Sequence, residues 1–170
     1  MNEFHTFTVF SENYPGLLSR IANIFTRRKI NIESLTVSGS EYDGIHRFQI
    51  LVRVDPEKAQ KIVRQIQKQV DVFDAFAYKV GGTMEQQTQL FRLPTNHLLE
   101  SRDMKRLFNA HDVKLVAVNP DYSYFEKSGA DSETHQMVEE MQAFSDVEHV
   151  RSVRSTFPKS DAHFAQETYR

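Results

Sequence analysis

The chain has 170 residues, enough for one ordinary domain or two small ones. It is 39% hydrophobic and 26% charged with a formal net charge of −2, and its acids and bases are interspersed, unlike the basic footprint of a dedicated nucleic-acid binder. The absence of cysteine excludes disulfides, thiolate metal sites and a cysteine nucleophile, and no apolar run reaches the length of a membrane span or signal-peptide core, so a soluble cytoplasmic protein is expected.

The first ten residues alternate like a strand and are expected to be folded protein, not a leader: Phe4, Phe7, Val9 and Phe10 are spaced by Thr and His. Pro15 is expected in the first turn of a helix, where its missing N–H is tolerated. Leu17, Leu18, Ile21, Ala22, Ile24 and Phe25 continue at helical spacing, and Arg27, Arg28 and Lys29 suit the negative end of the helix dipole. Ile30, Ile32, Leu35 and Val37 predict a second strand closed by Ser38-Gly39-Ser40. Phe48, Ile50, Val52 and Val54 predict a third with one buried face.

Asp55 and Pro56 read as the N-cap and first residue of a second helix, whose apolar stripe is Ala59, Ile62, Val63 and Ile66. Val70, Val72, Phe73 and Phe76 then predict a fourth strand, ending near Gly81-Gly82. Strand, helix, strand, strand, helix, strand is the split βαβ, ferredoxin-like order, with an antiparallel sheet covered by two helices.

Residues 81–87 are polar and glycine-bearing, and read as a linker. The same order of elements then returns more weakly. Leu90, Phe91 and Leu93 suggest a strand; Met104, Leu107, Phe108 and His111 a helix; Val113, Leu115, Val116 and Val118 a strand. Tyr122, Tyr124 and Phe125 suggest another strand, Met137, Val138, Met141 and Phe144 a helix, and Val147, Val150 and Val153 a closing strand. The expected class is α+β: two tandem ferredoxin-like (βαββαβ) modules at residues 1–80 and 81–170, with a mobile tail from about 158.

The segment between strand 1 and helix 1, Glu12-Asn13-Tyr14-Pro15-Gly16-Leu17, is the candidate binding turn. A turn there leaves the first N–H groups of the helix unpaired at the positive end of its dipole, which suits a carboxylate or phosphate. Gly16 lets a ligand approach the backbone, and the Asn13 amide offers a donor and an acceptor. Asn31 could add a second amide, and Leu17, Leu18 and Ile32 an apolar hollow. The same residue types equally serve a simple capping turn, so local chemistry leaves both readings open.

Residues 9–37, VFSENYPGLLSRIANIFTRRKINIESLTV, resemble the opening of the small, regulatory subunit family of acetolactate synthase (acetohydroxyacid synthase). That family's ACT domain carries an E-N-x-x-G-x-L-S-R-x-x-x-x-F segment and then N-I-E-S-L-T-V. These fall here on Glu12, Asn13, Gly16, Leu18, Ser19, Arg20 and Phe25, and on the run Asn31–Val37. The resemblance covers residues 1–80 in detail and residues 85–157 as an order of elements, similar to the family's C-terminal domain. Arg47 matches the family's basic residue at the opening of strand 3. Lys29 departs from a small residue usual at its position and predicts a different end to helix 1. Thr95-Asn96-His97 stands where the second module lacks the expected glycine.

The resemblance implies a chain with no catalytic centre and no cofactor of its own. It implies dimerisation through ACT domains and activation of a separate catalytic (large) subunit carrying thiamine diphosphate, Mg and FAD. It further implies feedback by a branched-chain amino acid, typically valine, bound at the ACT interface by Asn13, Gly16, Leu18, Asn31 and Ile32. Asn13 and the Gly16 backbone would take the carboxylate and amino group, and Leu18 and Ile32 the aliphatic side chain. A free-standing ACT-domain sensor of another amino-acid enzyme is the alternative. RNA binding is disfavoured because strand 3 carries one aromatic, Phe48. An enzyme is disfavoured because the seven histidines lack metal-ligand spacing and no nucleophile elbow or phosphate loop is present.

Overall fold

A computed structural model describes residues 2–81, 83–96, 102–142, 148–151 and 155–158. The expected mobile tail lies outside them from residue 159 onward, as do His97, Phe144, Val147 and Val153. The chain divides into two compact units, one within residues 1–84 and the other within residues 85–155. Both are βαββαβ modules, so the α+β expectation holds.

In the first unit β1 (Glu3–Glu12), β2 (Ile32–Gly39), β3 (Ile45–Val54) and β4 (Val72–Lys79) form an antiparallel sheet in the order β2-β3-β1-β4. Alternation along β1 and β3 sends Phe7, Val9, Phe48, Ile50 and Val52 to one face. Helix α1 (Leu17–Thr26) covers that face with Leu17, Ile21, Ile24 and Phe25, and α2 (Pro56–Ile66) with Ala59, Ile62, Val63 and Ile66. Phe7 and Phe25 meet edge to face with centroids 5.4 Å apart, a contact contributing about 0.5–1.5 kcal/mol beyond burial. Asp55 caps α2 as expected, its side chain accepting from the Lys58 N–H at 2.9 Å, with Pro56 at the first position.

Four local expectations change. Pro15 is not in α1; it precedes the helix in a turn closed by the Leu17 N–H donating to the Tyr14 carbonyl at 3.2 Å. Pro at the second place and Gly16 at φ 86°, ψ −10° in the third are the chemistry of a type II turn. Ile30 precedes β2, and Val70 is exposed ahead of β4.

The third correction concerns Lys29. Helix α1 ends in the left-handed geometry that a glycine normally supplies, with Lys29 itself at φ 54°. The Lys29 N–H donates to the Thr26 carbonyl and the Ile30 N–H to the Phe25 carbonyl, the paired bonds of a Schellman motif. Packing of Ile30 on the core holds the lysine there.

The fourth is the expected linker. Residues from Thr83 belong to β5 (Thr83–Pro94), because its inward positions are filled by glutamines that hide the strand pattern. Gln87 is buried and its amide donates to Thr134 Oγ1 at 2.7 Å. The second unit continues with α3 (Arg102–Ala110), β6 (Lys114–Val118), β7 (Tyr122–Gly129), α4 (Asp131–Gln142) and β8 (Glu148–Arg151), and β9 (Ser155–Pro158) follows. Its strand order β6-β7-β5-β8 repeats that of the first unit. Phe91, Leu93 and Phe125 pack against Met104, Leu107, Phe108, Met137, Val138 and Met141. Even the helix end is repeated: Asp112 has φ 51° and the Val113 N–H donates to the Phe108 carbonyl, as Ile30 does to Phe25.

Candidate functional site

The candidate turn is held from outside itself. The Glu12 N–H donates to the Asp71 carbonyl at 2.9 Å, which fixes where β1 leaves the sheet. Arg20, one turn into α1, donates from Nη2 to Asp71 Oδ2 at 2.6 Å, and its guanidinium lies 5.9 Å from the centre of the Tyr14 ring. Asp71 sits at φ 72°, where Asp is among the better tolerated non-glycine residues. Arg20 and Asp71 therefore belong to the site's frame although neither was a candidate. The Arg20 signal lay in the leucine-serine-arginine run; Asp71, distant in sequence, gave none.

Residues Asn13 to Gly16 are all exposed. No side chain caps α1 and no acid lies in its first turn, so beyond the Leu17 N–H, which is bonded to Tyr14, the N–H groups of that turn have no side-chain cap. A Cβ built at Gly16 would meet nothing within 4 Å; only its backbone angles call for glycine. Leu18 is exposed at the same end. Leu17, expected to line the hollow, is 1% exposed and belongs to the core, as the first residue of a helix that begins two residues after Pro15.

Asn31 and Ile32 lie elsewhere. Strand register aligns Ile32 with Val52 and His5, whereas Gly39 aligns with His46 and Ser11, next to the turn. Six residues of β1 and of β3 separate those levels, about 20 Å, the seventh residue of β2 being taken up by its register shift after Ile32. One copy of the chain therefore places Asn13, Gly16 and Leu18 at one end of the sheet and Asn31 and Ile32 at the other. Asn31 is exposed, its amide donating to Glu33 Oε1 at 3.1 Å, and Ile32 is half-buried against the core.

The strand joining the two ends is a free edge. β2 has a single neighbour, β3, and along it Leu35 and Val37 are 37% and 38% exposed. Elsewhere, among the described residues, no cluster of three His, Asp or Glu is placed to hold a metal ion, and no helix is long and apolar enough to cross a membrane. His111 is half-buried with Nε2 3.0 Å from Glu140 Oε2, an internal pair and not an open ligand.

Two family models divide the chain between them: "AHAS small subunit-like ACT domain" matches residues 7–74, and "Small subunit of acetolactate synthase" matches residues 86–159. Over 129 residues the chain is 32% identical to the "Probable acetolactate synthase small subunit" of Methanothermobacter thermautotrophicus, covering 76% of each chain. It is 28% identical to the acetolactate synthase small subunit of Mycobacterium avium, covering 74% of each. The crystal structure of the acetolactate synthase small subunit of Thermotoga maritima superposes with a TM-score of 0.78 at 23% identity, over 94% of this chain and 99% of that one. Fold and turn thus define an ACT-domain protein with a second βαββαβ module following it in sequence. The chain belongs to the acetolactate synthase small-subunit family.

Proposed function

We propose that this chain is the non-catalytic regulatory subunit of acetolactate synthase, working as a homodimer joined through β2 of its ACT domain. The observation that carries this reading is the separation of the candidate residues along β2. Pairing β2 antiparallel with the same strand of a second copy, about a two-fold axis near Leu35 and Thr36, sets Ile32 of the partner subunit opposite Gly39. The turn of one copy and the Asn31 end of the other then share one cleft, twice per dimer. Pairing also satisfies the edge backbone groups and covers Leu35 and Val37, which supports the strand as the interface.

The ligand that suits this cleft is a branched-chain amino acid, valine first. The α1 N–H groups and the dipole take the carboxylate, with roughly 0.3–2 kcal/mol from the dipole. The Asn13 and Asn31 amides take the charged ends, charge-assisted bonds contributing about 1.5–3 kcal/mol each before association costs. Leu18 and Ile32 cover the aliphatic side chain, whose burial contributes about 1.5–3 kcal/mol. Such a sum gives a micromolar-to-millimolar sensor. Thiamine diphosphate, Mg and FAD belong to the catalytic partner, which this chain activates until the amino acid binds.

The test is catalytic-subunit activity with and without this chain, titrated with valine, leucine and isoleucine. Activation that one of the three reverses supports the reading. No effect on the catalytic subunit, with retained amino-acid binding, would instead favour a free-standing ACT sensor.

A further inference from the structure

Charge that is interspersed in sequence is sorted by the fold. Segment 17–30, containing α1, carries Arg20, Arg27, Arg28 and Lys29 and no acid. Segment 56–70, containing α2, carries Lys58, Lys61, Arg64 and Lys68 against Glu57 alone. Both helices lie on the same face of the sheet, so a chain of net charge −2 presents a layer of net charge +7.

Intramolecular pairing takes up three of the eight cations, two of them with aspartates just outside the segments, which leaves a net charge of +5. Arg20 is paired to Asp71, Lys58 to Asp55 and Lys61 to Glu57. No ion pair among the described residues engages Arg27, Arg64 or Lys68, all of them exposed. Between the helices, Arg20, Asn23, Ile24, Arg27, Gln65 and Gln69 line a cleft of about 150 Å³. Its lining carries two guanidinium groups and three amides; Arg20 is bonded to Asp71 and the Gln69 amide to the Gln65 carbonyl, and Arg27 is the unpaired cation of a set suited to carboxylates.

From this sorting of charge we infer that the α1–α2 layer is the docking surface for an acidic face of the catalytic subunit, an inference that rests on the regulatory-subunit reading. Three arguments select that occupant. Antiparallel pairing through β2 puts the helical layers of both copies on the same side of the joined sheet, doubling the basic face and leaving it uncovered. Nucleic acid is disfavoured because Phe25, the aromatic of these two segments, is fully buried, so no ring is offered for base stacking. A carboxylate-bearing protein surface uses the planar guanidinium forks and the amides together.

The experiment uses the full chain with the intact catalytic subunit. Arg27→Glu, Arg64→Glu and Lys68→Glu are combined, with the corresponding Gln triple as the milder variant; a thermal melt and a valine titration of the isolated chain check that folding and the effector site persist. The small-subunit concentration giving half-maximal activation should rise at least about tenfold for the Glu triple and less for the Gln triple, with a reduced dependence on salt. Valine affinity should change much less than half-maximal activation does, since none of the three is among Asn13, Gly16, Leu18, Asn31 and Ile32. Half-activation within twofold of the original for both triples overturns the inference while leaving the regulatory role standing. Failure of the unmodified chain to bind the catalytic subunit overturns both. Oligonucleotide binding by the unmodified chain at physiological salt, lost in the Glu triple, overturns it in favour of nucleic acid. A changed self-association of the isolated chain overturns it in favour of a second copy.

Discussion

Arg20 and Asp71, 51 positions apart in sequence, are joined by a 2.6 Å ion pair that closes the base of the candidate binding turn. The same aspartate accepts from the Glu12 backbone, so one residue before β4 holds both the strand end and the helix start that flank Asn13 to Gly16. The pair is half-exposed and contributes little to stability, about 0–1 kcal/mol. Its value is positional. Asp71→Asn, which keeps a residue that accepts positive φ, should lower the melting temperature by a few degrees at most and weaken effector binding several-fold by calorimetry. A large stability loss with unchanged affinity would make the pair a fold element only.

Gly16→Asp should abolish the effector response while leaving activation of the catalytic subunit intact. An Asp at this N-cap position offers its own carboxylate to the free N–H groups of α1, occupying the place of the ligand's carboxylate. Gly16→Ala is the control, since it meets the same positive φ, roughly 1–2 kcal/mol of strain, without the charge. Calorimetry showing unchanged valine affinity in the Asp variant would place the site elsewhere.

Lys29→Gly should raise stability by about 0.5–1 kcal/mol. Glycine removes the left-handed strain at φ 54° but loses more backbone freedom on folding, so the net gain is the difference. Denaturant unfolding measures it, with a rise in the midpoint at constant slope as the expected result.

Gln89→Leu should stabilise the second unit by about 1–2 kcal/mol. Gln89 is fully buried on β5, and neither its amide nitrogen nor its amide oxygen has a hydrogen-bond partner among the described residues. Gln87→Leu should do the opposite, because it removes a buried hydrogen bond to the Thr134 hydroxyl, which is left with its donation to the Ala130 carbonyl at 3.2 Å among its contacts. Thermal melts of the two variants should move in opposite directions.

The Glu140 carboxyl is held below its ordinary value of 4.5, first by its hydrogen bond to His111 and then by that to Gln136. A depressed carboxyl stabilises the fold at pH above its unfolded value and loses that contribution as pH falls through the lower folded one. His111→Ala should return Glu140 toward 4.5 in an NMR titration. The same variant should flatten the acid limb of the stability profile.

Much of the fold was legible because local periodicity states local faces. Phe48-x-Ile50-x-Val52-x-Val54 alternates on β3 and Ala59, Ile62, Val63 and Ile66 repeat on α2, and both patterns are the buried faces of the structure. Asp55-Pro56 marked the start of α2, and the returning order of elements marked the second module. The glutamine-bearing start of β5 was not legible, because a buried amide reads as polar in sequence whatever it meets in space.

By itself the sequence determined the elements, the tandem repeat and the composition of the turn, since each depends on residues within a few positions of one another. Tertiary structure decided the rest. Strand register placed Asn31 and Ile32 about 20 Å along the sheet from the level of the turn, too far for one copy to join them with Gly16 in one pocket. The packing of Ile30 on the core held Lys29 in a glycine's conformation. Chain reversal brought Asp71 under Arg20, and two helices set side by side gathered scattered cations into one face. Proximity between residues far apart in the chain is fixed by register and packing, and neither is written in local periodicity.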